Sequence, residues 1–549
     1  NILFGALGTM KFARLEKPLL FVVTLSLAAA LLVSAAMSRN AGHWPMFGGT
    51  PGRNMVSETE SNMPVEWDAE SNKNIKWTVD LGSQSFGGPV VGGGKLLVGT
   101  NNQSPRDTVH KGDRGVLMCF REDDGEFLWQ ATHTRLPAGR VNDWPELGLC
   151  SSPYIEGNRA YYVSNRCEVI CVDMEGFRDG ENDGPVMDEL ASGETDADII
   201  WKFDLMRELG VFPHNVAVCA PLVVEGRVFI VTGNGVDEGH RRLPNARAPS
   251  FVALDQESGK LLWADRSPGR RVLHGQWSNP AYGVINGQAI VVFPGGDGWI
   301  YAFDPAGNPE RRNQSKLIWK FDCNPKDSIW VLGGRGTRNS IVGTPVIHDD
   351  KVYVGVGQDP EHGLGIGHLW CIDGTKTGNV STHFVYDKAA PDKPINETRL
   401  NQFIPFDNDK HMTKPNPNSA VVWHYGGEDG TKKFDNVVYG RTISTVAVYD
   451  DLVFAAELAG FLHCIDSKTG QLHWKYDMLS NVWGSPYVVD GKVYLGDEDG
   501  DVMVFEASKE MKIVAENIMD NAVYSTVVAT GGTLYLMTWN RLYALHSQE

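Results

Sequence analysis

The sequence predicts an all-β fold built from eight similar units of four antiparallel strands, and a recurring phrase is the main evidence. The phrase FLHCIDSKTGQLHW at 461–474 returns as FVALDQESGKLLW at 251–263 and, more loosely, as VLMCFREDDGEFLW at 116–129. Each copy runs from a β-like stretch through an acidic turn and a glycine to a tryptophan. The 60 glycines and 16 tryptophans of this 549-residue chain also suit tight turns and large apolar anchors. Unrelated hairpins would not bring these residue types back in phase.

Each unit is predicted to start with a small residue followed by a short first strand. Such starts are GGPVV at 87, SSPYI at 151, CAPLVV at 219, SNPAYGVI at 278, GTPVI at 343, STVAV at 444, GSPYVV at 484 and STVVA at 525. Second and third strands follow, and the fourth strand closes on a tryptophan. These tryptophans are Trp129, Trp201, Trp263, Trp319, Trp423 and Trp474. Four short strands in roughly 40 to 50 residues form one blade of a β-propeller. The sequence therefore predicts an eight-bladed β-propeller of four-stranded antiparallel blades.

The chemistry of a blade explains the phrase. Aspartate accepts hydrogen bonds in the turn after the third strand, glycine supplies a positive φ there, and tryptophan fills the gap to the neighbouring blade. The last blade ends RLYALHSQE without a tryptophan strand, whereas NIKWTVDL at 74–81 is a tryptophan strand without an earlier partner. We expect this N-terminal strand to pair with the C-terminal blade and close the ring, which removes exposed sheet edges. The predicted propeller spans 74–549, preceded by a lead-in segment at 42–73.

The N-terminus has the pattern of a targeting segment. Basic residues at 11–17 precede an apolar run at 18–37, with small residues at 34–36 where a signal peptidase could cut. The run is also nearly long enough to span a bilayer, so residues 1–41 are either a cleaved signal peptide or a membrane anchor. Both alternatives predict export, to the periplasm or the cell envelope.

Charge and cysteines exclude several classes of protein. A net charge of −18 argues against a sequence-independent nucleic-acid binder, because phosphate binding needs a basic face. The chain has no CxxCH or CxxC motif, which argues against covalent haem of the c type and a structural zinc site. Third-strand cysteines are expected to be buried thiols. Among the others, Cys150 and Cys219 form a candidate disulfide.

Loops that join fourth strands to the next first strands are expected to meet at one mouth of the propeller channel, with the loops between second and third strands. Arginines, histidines and aromatic residues there could bind an anionic ligand or an acidic loop of a partner. The alternative is that the arginines pair with nearby acids. The candidate residues are Trp144, His214, Asn215, Arg270, Arg271, His274, Trp277, Arg335, Arg338, Asn339, Arg441 and Trp483.

Two long inserts, at about 174–200 and 374–420, offer further candidate sites. The first contains DGENDGP, whose alternating acids before a glycine resemble a calcium loop, with Leu190 where a closing glutamate would stand. Its candidate Ca²⁺ ligands are Asp179, Glu181, Asp183, Asp188 and Glu189, and the alternative is a solvated acidic loop. The second insert is rich in proline and asparagine and predicts an irregular excursion. Its Phe403, Ile404 and Phe406 either pack on the propeller or dock on a neighbour.

The repeats and the opening HWPMFGGTPGRNM at 43–55 resemble the bacterial propellers of the PQQ-like-repeat family, over about 43–549. That family contains quinoprotein dehydrogenases, which hold pyrroloquinoline quinone and calcium, and BamB-like scaffolds without a cofactor. The resemblance implies that Asn234, in VTGNGVDEG, matches a calcium-ligating asparagine of the dehydrogenases. Three dehydrogenase features are missing. YVSNRCEVICVD has no acid at the offset of the glutamate ligand, SPGRRVLHGQWSNP has no catalytic aspartate, and no vicinal cysteine pair exists.

These observations favour an exported, membrane-tethered, non-catalytic propeller that acts as a protein-interaction scaffold in the cell envelope. Its expected partners are other envelope or membrane proteins and not nucleic acid. No resident cofactor is expected beyond Ca²⁺ at the acidic insert, and pyrroloquinoline quinone is disfavoured. The alternative is a PQQ-dependent alcohol or sugar oxidoreductase, or a degenerate relative that binds a small ligand in the propeller funnel. A sugar- or polymer-binding propeller is a third possibility.

Overall fold

The computed structural model describes residues 43–189, 191–357, 360–362, 365–396, 400, 404–428 and 437–547. All of them belong to the unit Gly42–Glu549. The predicted signal or anchor at 1–41, Leu190 and Phe403 lie outside the described residues. Among the helices described here, none has the length and apolarity needed to cross a membrane.

In the described part of the chain, eight sheets each contain four antiparallel strands that pair in sequence order, except that the last sheet takes its fourth strand from the N-terminal part of the chain. Sheet 1 contains Val90–Gly92, Lys95–Asn101, Arg114–Arg121 and Phe127–Thr134. Sheet 2 contains Tyr154–Glu156, Arg159–Val163, Glu168–Asp173 and Ile199–Asp204. Sheet 3 contains Leu222–Val224, Arg227–Val231, Phe251–Asp255 and Leu261–Asp265. Sheet 4 contains Ala281–Ile285, Gln288–Pro294, Trp299–Phe303 and Leu317–Asp322.

The second half continues the same order. Sheet 5 contains Val346–His348, Lys351–Val356, His368–Asp373 and Val421–Glu428, with Val437–Tyr439 at its edge. Sheet 6 contains Ala447–Tyr449, Leu452–Ala456, Phe461–Asp466 and Leu472–Asp477. Sheet 7 contains Tyr487–Val489, Lys492–Gly496, Asp501–Glu506 and Ile513–Ile518. Sheet 8 contains Val528–Thr530, Thr533–Met537, Arg541–Leu545 and, from the N-terminus, Ile75–Asp80. The predicted pairing of the N-terminal tryptophan strand is present, with Trp77 opposite Ala544.

Short elements complete the described secondary structure. Asn313–Gln314, Gly378–Asn379 and Val56–Ser57 add parallel strands to sheets 3, 4 and 7 respectively. Helical turns are Gly176–Asp179, Leu205–Leu209, Gly269–Arg271 and Pro360–His362. The prediction of an irregular second insert was wrong. That insert forms a three-stranded antiparallel sheet of His383–Asp387, Ala390–Pro394 and His411–Pro415.

The recurring tryptophan joins six of the eight described sheets to the next one, as the sequence predicted, whereas the Trp319 indole N–H has no hydrogen-bond partner among the described residues. Six indole N–H groups donate to a carbonyl oxygen in the turn of the following sheet at 2.8–3.2 Å. The donors are Trp77, Trp129, Trp201, Trp263, Trp423 and Trp474, and the acceptors are Glu122, Met174, Gln256, Pro305, Ser467 and Ser508. The turn glycine lies against the ring, and a Cβ on Gly259 would come within 2.5 Å of Trp201. Glycine is therefore required both for its positive φ of 66° and for this approach.

The eight cysteines are all thiols, and seven of them are buried. The candidate disulfide between Cys150 and Cys219 was wrong. Cys219 packs at the start of sheet 3, where its carbonyl accepts a hydrogen bond of 2.7 Å from Ser151 Oγ. Third-strand cysteines Cys119, Cys171, Cys371 and Cys464 lie in the core as expected.

A feature that the sequence did not predict is the course of residues 44–57, which we call the plug segment. Its carbonyl groups accept hydrogen bonds of 2.7–2.9 Å from backbone N–H groups in the first strands of sheets 1, 2, 4, 5 and 7. The acceptors are Trp44, Pro45, Pro51, Gly52 and Met55, and the donors are Val91, Ile155, Tyr282, Ile347 and Val488. Asn54 makes the equivalent contact with Val448 of sheet 6 through its side chain, at 2.8 Å. One contiguous stretch thus binds six sheets in order.

Arg53 anchors the plug segment to sheet 3, the sheet that the backbone contacts skip between sheets 2 and 4. Its fully buried guanidinium donates to the carbonyl oxygens of Ala220 and Pro221, which precede sheet 3, at 3.1 and 2.9 Å. It also donates to Pro280 at 2.9 Å and to Phe47 of its own segment at 2.7 Å. Burial lowers the pKa of Arg53 to about 10. The residue stays charged at neutral pH, and its hydrogen bonds are charge-assisted.

Candidate functional site

A central cavity of about 400 Å³ is lined by one residue from the start of each of the eight sheets. These residues are Gly88, Ser152, Ala220, Asn279, Thr344, Thr445, Ser485 and Thr526. Small side chains are needed here because the sheets approach one another most closely at their first strands. Several of them accept hydrogen bonds from the neighbouring sheet; for example, Ser485 Oγ accepts from the backbone N–H of Thr445 at 2.9 Å. This explains why each unit of the sequence begins with a small residue.

The two ends of the central cavity differ. The lining residues come just before the first strands in the sequence, whereas the plug segment bonds to residues within those strands. The plug segment therefore closes the end of the cavity on which the first strands lie. Phe47 of the plug segment lines the cavity. At the other end lie the loops that join one sheet to the next. We call that end the mouth.

Aromatic side chains form one wall of the cavity near the mouth. Phe86 stacks on Tyr524 with ring centroids 5.9 Å apart, and Trp483 meets Tyr524 edge to face at 4.8 Å. Glu498 accepts a hydrogen bond of 2.9 Å from the Tyr524 hydroxyl, which fixes that ring. Among the described lining residues, Glu361 is the one carboxylate, and none is lysine, arginine or histidine. The cavity suits an uncharged, partly aromatic or apolar ligand.

Three histidines and Glu361 meet at the mouth, and we call this group the histidine cluster. His214, His240, His274 and Glu361 each place one possible ligand atom within 4.8 Å of the other three. The Nε2 atoms of His240 and His274 are 3.1 Å apart. Glu361 Oε2 lies 3.8 Å from Nε2 of His274 and 4.0 Å from Nε2 of His240. His214 and His274 are buried, His240 is partly buried and Glu361 reaches solvent.

Neighbouring groups orient the cluster. His214 Nδ1 lies 2.8 Å from the Val236 carbonyl, so Nδ1 carries the proton and the neutral ring keeps its lone pair on Nε2. Asn215 Nδ2 donates to Glu361 Oε1 at 2.9 Å, which leaves Oε2 turned towards the histidines. The Trp277 indole donates to the His214 carbonyl at 3.0 Å. Burial and the nearby His274 lower the pKa of His240. This favours the neutral, electron-donating form of His240.

The cluster combines predicted and unpredicted residues. His214, Asn215, His274 and Trp277 were predicted to lie at the mouth, and the structure places them in or beside the cluster. His240 and Glu361 were missed, although they lie in loops between second and third strands, which were expected at the same mouth. The signal was a histidine in VDEGHRR and an acid–histidine pair in QDPEHG.

Two of the arginines predicted for the rim are buried and pair with aspartates of the protein. Buried Arg271 donates to the Tyr301 hydroxyl at 2.8 Å and lies 3.1 Å from Asp297. Buried Arg338 donates to Asp322 at 2.6 Å. These two guanidinium groups pair with acids, which was the alternative interpretation of the arginine set.

The remaining rim candidates are more scattered. Arg441 donates to the His362 carbonyl at 3.0 Å, beside the histidine cluster. Trp144 is partly exposed beneath Arg140. Trp483 belongs to the cavity wall, and Asn339 donates to the Ile366 carbonyl at 2.9 Å. Arg270 and Arg335 are exposed.

The acidic insert places two of its candidate calcium ligands together. Asp179 and Asp183 lie within ligand distance of Asp173, which ends the third strand of sheet 2. Glu181 is exposed, and its backbone N–H donates to Asp179. Asp188 and Glu189 line a separate cavity of about 360 Å³. A calcium site here stays a prediction.

In the second insert, Phe406 packs against His411 with ring centroids 5.5 Å apart, whereas Ile404 is 56% exposed. Phe406 therefore packs within the protein, whereas Ile404 is exposed, as the alternative of docking on a neighbour requires.

The geometry does not fit pyrroloquinoline quinone with calcium. Both polar atoms of the buried Asn234 side chain bond to backbone, with Oδ1 accepting from Phe212 at 3.0 Å and Nδ2 donating to Asn245 at 3.1 Å. Asn234 is not among the lining residues of the central cavity. The quinone also carries three carboxylates, and the described cavity lining offers no cationic side chain to receive them.

An all-β chain of repeated four-stranded antiparallel sheets around a central cavity is a propeller-like protein. The chain belongs to the PQQ-like-repeat family, because the family described as "Outer membrane protein assembly factor BamB" matches residues 188–382 and 413–545, more than half of its length. No curated protein matches the chain by sequence.

One solved structure with a TM-score above 0.5 has a similar fold. A europium-containing methanol dehydrogenase is 13% identical with a TM-score of 0.51, over 92% of this chain and 98% of its own. BamB from Moraxella catarrhalis is 12% identical with a TM-score of 0.49, over 86% of this chain and 97% of its own. At such identities the likeness concerns the fold alone.

Proposed function

We propose that this chain is a binding protein of the cell envelope whose central cavity holds a small ligand. The observation that carries the proposal is the cavity of about 400 Å³, which is closed at one end by the plug segment and walled by Phe86, Trp483 and Tyr524. Ligand pockets are typically concave and mostly apolar, with few polar groups. The lining predicts a ligand without net charge in its buried part.

The proposal includes the arrangement and location of the protein. The eight sheets are the blades of a closed eight-bladed propeller, and Ile75–Asp80 completes the last blade. The apolar run at 18–37 directs export and serves as a signal peptide or membrane anchor. Family membership supports an envelope location, and the poor fit to the quinone supports a role without that cofactor.

A protein-interaction scaffold is the second candidate function. It is supported by the match to a family described as an assembly factor and by Ile404, which is 56% exposed on the second insert. Envelope or membrane proteins are the expected partners.

The test is native mass spectrometry on the full chain purified from its own membrane, followed by denaturation and identification of released small molecules. Val218→Trp should fill the cavity, because Val218 lines it, and should remove the released ligand. Val284→Trp is the matched control, because Val284 is 60% exposed on the first strand of sheet 4. A ligand lost in the first variant and kept in the second supports the proposal. A ligand-free chain that arrives with stoichiometric protein partners would replace it with the scaffold function.

A further inference from the structure

We propose that His214, His240, His274 and Glu361 bind one divalent transition-metal ion of the zinc class at the mouth of the cavity. The inference goes beyond ligand binding in the cavity and does not depend on it. Four donor atoms from four separate loop segments converge there, three of them imidazole nitrogens.

The distances suit a tetrahedral ion. Zinc–nitrogen bonds of about 2.0–2.1 Å place two ligand atoms of a tetrahedron about 3.3 Å apart. The Nε2 atoms of His240 and His274 are 3.1 Å apart, close to that edge. Glu361 Oε2, at 3.8 and 4.0 Å from the same atoms, needs to move by well under 1 Å to reach that separation, and the His214 ligand atom lies within 4.8 Å of all three. Its side chain reaches solvent and has room for that shift.

The donor set selects the class of ion. Imidazole nitrogens suit Zn²⁺, Cu²⁺, Ni²⁺ and Fe²⁺, whereas Ca²⁺ and Mg²⁺ prefer oxygen ligands. Three imidazoles and a carboxylate without a thiolate match the range of zinc ligands. The same donors make a calcium ion at this position unfavourable.

The second layer of contacts is typical of a metal site. Ligating histidines commonly donate their other ring N–H to a backbone carbonyl, and His214 does so to Val236 at 2.8 Å. Ligating carboxylates are commonly hydrogen-bonded in turn, and Asn215 does this for Glu361 at 2.9 Å. These contacts set the tautomer of one ligand and the orientation of another.

A second imidazole pair in the same chain provides the matched comparison. His368 Nδ1 and His424 Nε2 are 3.0 Å apart, nearly the distance between His240 and His274. Among the described residues, however, this pair has no third histidine, cysteine or carboxylate within ligand distance. Two imidazoles in contact are therefore insufficient, and the extra ligands distinguish the mouth.

The experiment uses the full-length protein, stripped with a chelator and exchanged into chelator-free buffer. Zn²⁺ is titrated by calorimetry, and Co²⁺ is titrated while its visible d–d bands are recorded as a measure of coordination geometry. The variants are His240→Gln and Glu361→Gln, both at side chains that reach solvent, and Asn215→Ala as a positioning variant. His424→Gln is the control. Circular dichroism confirms that each variant is folded.

We expect one ion per chain and tetrahedral Co²⁺ bands in the unmodified protein. His240→Gln should weaken affinity by about 100-fold or more, and Asn215→Ala by about 10- to 100-fold, because loss of an outer contact alone has that effect. His424→Gln should bind as the unmodified protein does. Val218→Trp should keep the metal even where it loses the cavity ligand, which separates the two proposals.

Two results would overturn the inference. One is the absence of a stoichiometric ion in the unmodified, folded protein. The other is an equal loss of affinity in His240→Gln and His424→Gln, which would mean adventitious binding to surface imidazoles.

Discussion

The two ends of the central cavity are built in different ways. The closed end is one contiguous stretch, residues 44–57, which binds six sheets through backbone and amide hydrogen bonds and a seventh contact through the buried Arg53. The mouth is assembled from side chains on separate loops, with His214, His240, His274 and Glu361 as its densest group. Because the closed end is held by backbone hydrogen bonds, its role is structural and substitutions there are expected to destabilise the fold. Convergent side chains give the mouth chemistry that can vary without loss of the fold.

The largest expected effect comes from the anchor of the closed end. Arg53→Leu should lower the free energy of unfolding by about 3–5 kcal/mol, because it leaves four carbonyl oxygens without their buried charged donor. Chemical denaturation measures the change. Arg207→Leu, at a side chain that is 83% exposed, is the control and should change stability by less than about 0.5 kcal/mol. A similar loss in both variants would mean that Arg53 does not anchor the closed end.

A backbone position of the plug segment should give the next largest effect. Gly48 has a φ of 76°, and a Cβ there would lie 2.6 Å from the Arg53 backbone. Gly48→Ala should therefore destabilise by about 2–3 kcal/mol, since conformational strain adds to the clash. Gly93→Ala is the matched control, because Gly93 has a φ of 63° and open space around its Cβ position, so only the strain of about 1 kcal/mol remains. Thermal unfolding of both variants measures the difference. Equal shifts in the unfolding temperature would mean that the plug segment rearranges around the added Cβ at little cost in free energy.

His368, a buried histidine away from the mouth, is expected to make the free energy of unfolding depend on pH. Burial and the neighbouring His424 lower the pKa of His368 to about 4. The unfolded chain, with a pKa near 6.5, then binds more protons than the folded one between these values. The contribution of His368 to the free energy of unfolding is therefore fully present above about pH 6.5. It is lost as the pH falls towards 4, at roughly 1 kcal/mol per pH unit.

The measurement is urea unfolding from pH 7 to pH 4.5 for the unmodified protein and for His368→Gln. The variant should show a flatter decline over that window. Parallel curves would show that the folded-state pKa of His368 is close to its ordinary value.

The smallest effect is expected at the mouth. Glu361→Gln should change the free energy of unfolding by less than about 0.5 kcal/mol in metal-free buffer, because the side chain is exposed and retains a hydrogen-bonding oxygen for Asn215. Denaturation with and without Zn²⁺ tests this. In the unmodified protein zinc should raise stability, and in the variant it should raise it less. A large loss without metal would make Glu361 a structural residue like Arg53.

The fold could be predicted where the sequence repeats itself. The tryptophans and turn glycines mark the contacts between successive sheets, and the last unit, which has only three strands of its own, is completed by the N-terminal tryptophan strand. The plug segment could not be predicted, since a single non-repeating stretch shows no periodicity. The sheet in the second insert was missed because its prolines favoured an irregular path, although Pro394 and Pro415 stand at strand ends.

The site could be predicted only in part. The small residues before the first strands were predicted as the starts of the units but not as a cavity lining, whereas the loops between sheets were expected at the mouth and contain His214 and His274. The roles of the arginines depended on contacts that the sequence does not show: Asp297 and Asp322 lie in other segments and pair with Arg271 and Arg338. His240 and Glu361 are separated by 121 positions in the printed sequence, and only the folded chain brings their side chains together.

The plug segment also constrains how the chain folds during synthesis. Residues 44–57 emerge early, but their most C-terminal strand partners are Val488 and Val489, and the strand Ile75–Asp80 pairs with Arg541–Leu545. The contact order is therefore high, and the final pairings form only when almost the whole chain is available. Until then two N-terminal stretches with unpaired backbone groups stay open to wrong pairings or aggregation. A chain released before Val488 would lack these partners for both stretches.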